Sequence, residues 1–329
     1  MAAALGLLQL VLLAMGCFAV GLALLTALIY PHVCRHLATL TPPQHARVLR
    51  WLCAVPLGGA ALLTGLCLAP SVLGAIWPEV DHCLTHHGHV HICLVHPPSS
   101  LGGALGWGAN GLFWGLVATG LVAVVRRAVA TAHAVRALRL SARFEPAVGA
   151  HVITSSLPFS AVAGFLQQKI VLSTALADAL PAPLLRIVLA HEAAHVRRRD
   201  SFWQLISTLL SVAHLPALRH QLLSDLALAA ERSCDEHAAR VVGDRLGVAS
   251  AILFVERMLA DRVGMLPLAP GFGGSDVPAR VEALLEPPGQ HRAWLMATIG
   301  VALIAAAPSL VQSGSLHHWT ETLLGFLVR

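Results

Sequence analysis

Four stretches of the chain are apolar along their whole length and carry no charged side chain: residues 4–30, 51–77, 101–125 and 293–311. A hydrocarbon layer ~30 Å thick needs about 20 apolar residues in a helix, so each is long enough to be a candidate span. The first has no basic segment before it and is longer than the apolar core of a signal peptide, so it reads as an anchor. The fourth is the shortest and contains Pro308.

Between the third and fourth stretches the pattern changes. Residues 126–140 are basic and amphipathic and read as a continuation of the third helix along the membrane surface. Residues 151–156, 159–165 and 169–173 are short β-prone runs punctuated by Pro and Gly. Pro181 and Pro183 then open a helix over 184–199. In 201–218, Ser201, Gln204, Ser207, Thr208, Ser211 and His214 recur at helical spacing, opposite Phe202, Trp203, Leu205, Ile206, Leu209 and Leu210. That is an amphipathic helix of the membrane interface, not a further span. An Ala-rich helix follows over 224–242, a loop over 264–274 and a short helix over 277–285.

Composition agrees. Of 329 residues, 56% are hydrophobic and 12% charged, about half the charge of a soluble domain. Disorder is excluded, and 5% aromatic residues with one tyrosine, Tyr30, argue against an outer-membrane barrel. The basic residues are 21 arginines and Lys169, placed in clusters that orient a chain in a membrane and do not suggest direct nucleic-acid binding. Arg35, Arg47 and Arg50 follow the first span without an acid, Glu79 and Asp81 follow the second without a base, and Arg126, Arg127, Arg136, Arg139 and Arg143 follow the third. The positive-inside rule then puts the N-terminus outside and residues 126 to about 292 in the cytoplasm.

The expected organisation is an α-helical integral membrane protein of about four spans with an inserted α+β domain. Residues 1–125 would hold three spans and a His/Cys-rich outer loop (78–100), 126–290 the cytoplasmic domain, 291–311 the fourth span and 312–329 a short tail. The outer loop holds six histidines and two cysteines in residues 82–96. It reads either as a loop closed by a Cys83–Cys93 disulfide in an oxidising compartment or as a transition-metal sensor.

The chemistry lies in the helix over 184–199. His191, Glu192 and His195 form H-E-x-x-H, in which two imidazoles one turn apart share a face and can grip one Zn²⁺. Glu192, turned about 100°, is placed to act as general base. A catalytic zinc needs a third protein ligand. A third histidine six residues on is ruled out, since Ser201 stands there; Glu231 is the best candidate and Glu236 the fallback. Asp235, one turn beyond Glu231, is placed to hold a ligand imidazole through its other nitrogen, or else to pair with Arg232. The pairing also constrains topology: if 201–218 crossed the bilayer, the histidines and Glu231 would lie about 30 Å apart. Arg197, Arg198 and Arg199 read as a cluster that pins this helix to anionic headgroups, or else contacts substrate.

H-E-A-A-H-V-R-R-R-D (191–200), K-I-V-L-S-T-A-L (169–176), the apolar helix and E-R-S-C-D-E (231–236) resemble the BlaR/MecR-type membrane metallopeptidases, similar in site to the HtpX and CAAX-prenyl protease group. The resemblance implies a gluzincin-like zinc endopeptidase with His191, His195 and Glu231 as ligands, Glu192 as base and Asp235 as supporting carboxylate. It further implies that the strand at 169–173 offers an edge to a substrate peptide. The substrate would be a transcriptional repressor or the protein itself, in signalling or regulated proteolysis. Members that sense β-lactams end in a penicillin-binding domain with an S-x-x-K nucleophile. Here about 18 residues follow the fourth stretch and Leu166 stands three positions before Lys169, so that sensor chemistry is not expected. Other readings are a metal- or redox-sensing receptor with a structural zinc site, and a membrane quality-control protease.

Overall fold

A computed structural model describes residues 2–77, 92–93, 103–165, 167–263, 276–286 and 315–328. The loop over 264–274, the candidate fourth span and Cys83 lie outside these residues, and with Cys83 the disulfide.

Three apolar helical segments are long enough to cross a membrane. The first, α1 (Ala2–Leu37), continues past Pro31. The second is continuous over 42–76: α2 (Pro42–Ala54), a π-helical turn (Val55–Gly59) and α3 (Ala60–Ile76). Prolines 42 and 43 open α2 because their fixed φ suits the first turn, where the missing N–H costs nothing. Pro56 has the opposite effect: it cannot donate to the Leu52 carbonyl, and the His214 Nε2 donates instead at 3.0 Å. The wide turn follows at once, as helix irregularities do where the hydrogen-bond ladder is interrupted. The third segment, α4 (Ala104–Ser141), is one unbroken helix of 38 residues. Its basic end continues the apolar part without a break.

Beyond α4 lies a four-stranded sheet: β1 (Arg143–Glu145), β2 (Ala150–Ile153), β3 (Ser160–Ala163) and β4 (Lys169–Ser173). The strand order is β1-β2-β4-β3, with β2 and β4 parallel and the other pairs antiparallel. The three expected β-runs are strands, but β4 is central. It is flanked by β2 and β3 and offers no edge; among the described residues the edges are β1 and β3. The continuous apolar run of β4 explains this, since the neighbours Val171 and Leu172 are both fully buried, as in a strand covered on two faces.

A short α5 (Thr174–Ala179) leads to α6 (Ala182–Arg198), which packs through Leu185, Val188 and Leu189 on Leu172 and Leu176. The amphipathic segment after it is α7 (Asp200–Leu210) and a 3₁₀ turn (Ser211–Ala213). Eleven helical residues span about 16 Å, half the hydrocarbon thickness. Its polar stripe faces protein and not water: Ser207, Ser211 and His214 are buried while Trp203 is exposed. Val212 packs at Gly120, so the turn lies beside the apolar part of α4. The chain then returns through α8 (Pro216–Val242), whose Leu218, Leu222, Leu226 and Ala229 pack against Ala46, Leu49 and Cys53 of α2. Gly243, at φ 73°, ends α8 in the left-handed conformation that glycine adopts freely.

The remaining helices are α9 (Arg245–Val263), α10 (Val277–Leu285) and α11 (Ser315–Val328). The expected tail thus contains a helix. It docks on α3 through the His317 Nδ1, 2.9 Å from the Cys67 carbonyl, and through Thr320 beside the Cys67 sulfur.

Candidate metal centre

α6 and α8 lie side by side and bring the expected residues together. The His191 and His195 Nε2 atoms are 3.1 Å apart. Glu231 completes a triangle, with Oε2 3.4 Å from His191 Nε2 and Oε1 3.3 Å from His195 Nε2. Asp235, one turn along α8, accepts from His191 Nδ1 at 2.9 Å. Glu236 points away and pairs with Arg245 at 2.6 Å. Asp235 pairs with Arg280 of α10 and not with Arg232, through bonds of 2.8 and 2.7 Å.

Three residues here carry no pattern that sequence reasoning could have used. Asp200 accepts from His195 Nδ1 at 3.0 Å. It stands at the end of the H-E-A-A-H-V-R-R-R-D run, but five residues along a regular helix would turn it about 140° away from His195. Arg199 removes that obstacle. At φ 54°, ψ 44° it is the sole non-glycine residue with positive φ among those described, ending α6 and restarting the chain as α7. Asp200 is thereby folded back under the ring. Arg198 binds Asp200 at 3.1 Å, so this arginine braces the site and does not reach for headgroups. Arg50, from α2, reaches Asp200 at 3.0 Å, and Arg280 also touches Glu231 at 3.1 Å. Both come from distant parts of the chain.

The electrostatics follow from this arrangement. Each Nδ1 donates to a carboxylate, so in the neutral rings both Nε2 lone pairs point at each other and at Glu231. Such a triangle is repulsive unless a cation sits in it. Burial alone would depress His191, yet Asp235 and Glu231 outweigh it and carry its pKa up to about 9. Burial likewise opposes charge on His195, and Asp200 and Glu231 raise it further still. Burial would raise Glu231, but the two imidazoles and Arg280 hold it well below the carboxylate range. Two imidazoles and a carboxylate in mutual contact are a zinc donor set, and a metal would take the place of the protons these shifts describe.

His195, Asp200 and Cys234 form a second group close enough to share an ion. Asp200 is already neutralised by Arg50 and Arg198, and burial pushes the Cys234 thiol up to about 11, so this set works as a brace. Glu192 is buried on the sheet side of α6, where its Oε1 accepts from the Ser160 hydroxyl at 2.7 Å. Ser160 opens the edge strand β3, so it is β3, not β4, that borders the base.

Residues 126–264 match the family model of Peptidase family M48. The matched segment holds all four strands, α6 to α8 and every residue of the triangle, and the match supports a metallopeptidase reading of this part of the chain. No curated protein matches the chain, and no solved structure does.

Proposed function

We propose that the chain is a membrane-embedded zinc metalloendopeptidase that hydrolyses peptide bonds at the cytoplasmic face of a bacterial inner membrane. The observation that carries this reading is the His191–His195–Glu231 triangle with Glu192 beside it. His191, His195 and Glu231 would hold one Zn²⁺, leaving an open position. When bound, the metal supplies Lewis acidity and lowers the pKa of water toward neutrality. The protein's own groups do the rest. Ser160 fixes Oε1 of Glu192, which leaves Oε2 to take the proton of the attacking water and return it to the leaving amine. Asp235 and Asp200 keep both imidazoles in the tautomer that turns Nε2 inward. The edge of β3 supports a substrate backbone by strand addition.

The arginine distribution supports a cytoplasmic domain and an outer N-terminus. The motifs shared with the BlaR/MecR-type peptidases support regulated proteolysis, with a cytoplasmic repressor or the protein itself as substrate. The test compares proteins cleaved in cells expressing wild type and Glu192→Gln. The proposal expects a small set of substrates cut by wild type alone, with zinc retained in the variant. Identical patterns would overturn it, and broad cleavage of unfolded membrane proteins would point to quality control.

A further inference from the structure

One turn beyond Glu192, the layer between the sheet and α6 opens into a groove of about 340 Å³. Its apolar walls include Phe144 of β1, Ile170 of β4 and Val196 of α6, and Ala193 and Arg197 continue the α6 side. Val196 stands four residues after Glu192, a rise of about 6 Å, so the groove adjoins the base.

Two features of this groove lack partners. The Gln168 carboxamide lines it with both its nitrogen and its oxygen buried and unbonded among the described residues. A buried amide left without donor and acceptor is unfavourable, and a bound group offering both would satisfy it. The rim also carries uncompensated positive charge. Lys169 sits 3.2 Å from His151 and Arg197 sits 2.9 Å from His237, and neither cation has a carboxylate partner among the described residues. Loss of water, then Lys169 and Arg139, depress His151; loss of water, then Arg197, Arg240 and Arg198, depress His237. The nearest acid on β1, Glu145, alternates with Phe144 and belongs to the opposite face of the strand.

We propose that this groove docks an acidic segment of the substrate, placing Glu or Asp side chains against Lys169 and Arg197 about two to four residues from the scissile bond. A peptide fits better than a phosphate or a lipid headgroup for two reasons. Gln168 offers an acceptor as well as a donor, which matches a peptide group and not an anion that only accepts. The apolar part of α4, residues 104–125, is about 33 Å long, close to the hydrocarbon thickness; the remaining 16 residues then carry β1 about 24 Å beyond the bilayer.

The inference rests on the protease reading for its consequence, but docking is measurable without turnover. Full-length, zinc-loaded Glu192→Gln protein in detergent is titrated with a fluorescent Glu-rich dodecapeptide, its Lys-rich counterpart, phosphatidylglycerol vesicles and an RNA oligonucleotide. The acidic peptide is expected to bind at least tenfold more tightly than the basic one. Lys169→Glu with Arg197→Glu should invert that preference, and Lys169→Gln with Arg197→Gln should abolish it, zinc content unchanged in both. Gln168→Ala should weaken the acidic peptide severalfold. Equal affinity for the two peptides would overturn the proposal, as would charge reversal that weakens vesicle or RNA binding while sparing the acidic peptide. Wild-type, zinc-loaded protein that docks the acidic peptide with the same preference yet cleaves no peptide would overturn the protease reading and leave the groove standing.

Discussion

At the scale of residues, the site is organised by what lies behind the ligands. His195 is fixed by Asp200, and Asp200 by Arg198 and Arg50, so a side chain 145 positions upstream of His195 helps to orient a proposed metal ligand. Losing such a partner typically costs 10–100-fold in metal affinity. Arg50→Ala and Asp200→Asn are each expected to weaken zinc binding by about that factor, read by competition with a chromophoric chelator; unchanged affinity would remove Arg50 from the account. The pH dependence has a definite sign. In metal-free protein His191 is raised from its ordinary 6.5 to about 9, so its pairing with Asp235 and Glu231 stabilises the fold fully below about pH 6.5 and is lost as pH rises through 9. Zinc must displace that proton, so its affinity should rise over the same window. Thermal melts between pH 6.5 and 9 should therefore show the gap between zinc-loaded and metal-free protein widening with pH.

At the scale of elements, the break between α6 and α7 does more than end a helix. Arg199 pays for a left-handed conformation costing about 1–2 kcal/mol in an L-residue, and the return is Asp200 under His195. Arg199→Gly should keep activity and raise stability by up to about 1 kcal/mol in denaturation, whereas Arg199→Val should lower both. A headgroup anchor would instead make the two variants equally harmful, since each loses the charge. This break also marks where the sequence stops being legible. The H-E-x-x-H face, Glu231 and Asp235 were readable because helical periodicity alone decides which side chains share a face, and α6 and α8 are regular. Asp200 was not, since that periodicity fails at a single residue whose side chain gives no sign of it. Strand β4 was recognised as a strand but not as a central one: pairing order depends on contacts between distant segments, and three short runs leave several orders open. Arg50 and Arg280 enter from 150 positions before and 45 after their partners Asp200 and Asp235, beyond any local pattern.

At the scale of the whole molecule, the candidate membrane segments and the candidate metal centre are one structure. The second apolar segment contributes Arg50 to the centre, α1 is tied to α8 by the Tyr30 hydroxyl donating to Asp225 at 2.5 Å, and α7 lies beside α4 with its polar side inward. All of this presupposes one divalent ion shared by two imidazoles and a carboxylate on the same side of the bilayer. The most direct measurement is zinc stoichiometry with X-ray absorption on purified full-length Glu192→Gln and on the same protein carrying Glu231→Ala. The account predicts one zinc per chain with two imidazoles and oxygen in its first shell, and a substoichiometric or weakly held ion once Glu231 is gone. A protein without zinc, or one whose zinc shell is unchanged by the loss of Glu231, would contradict it.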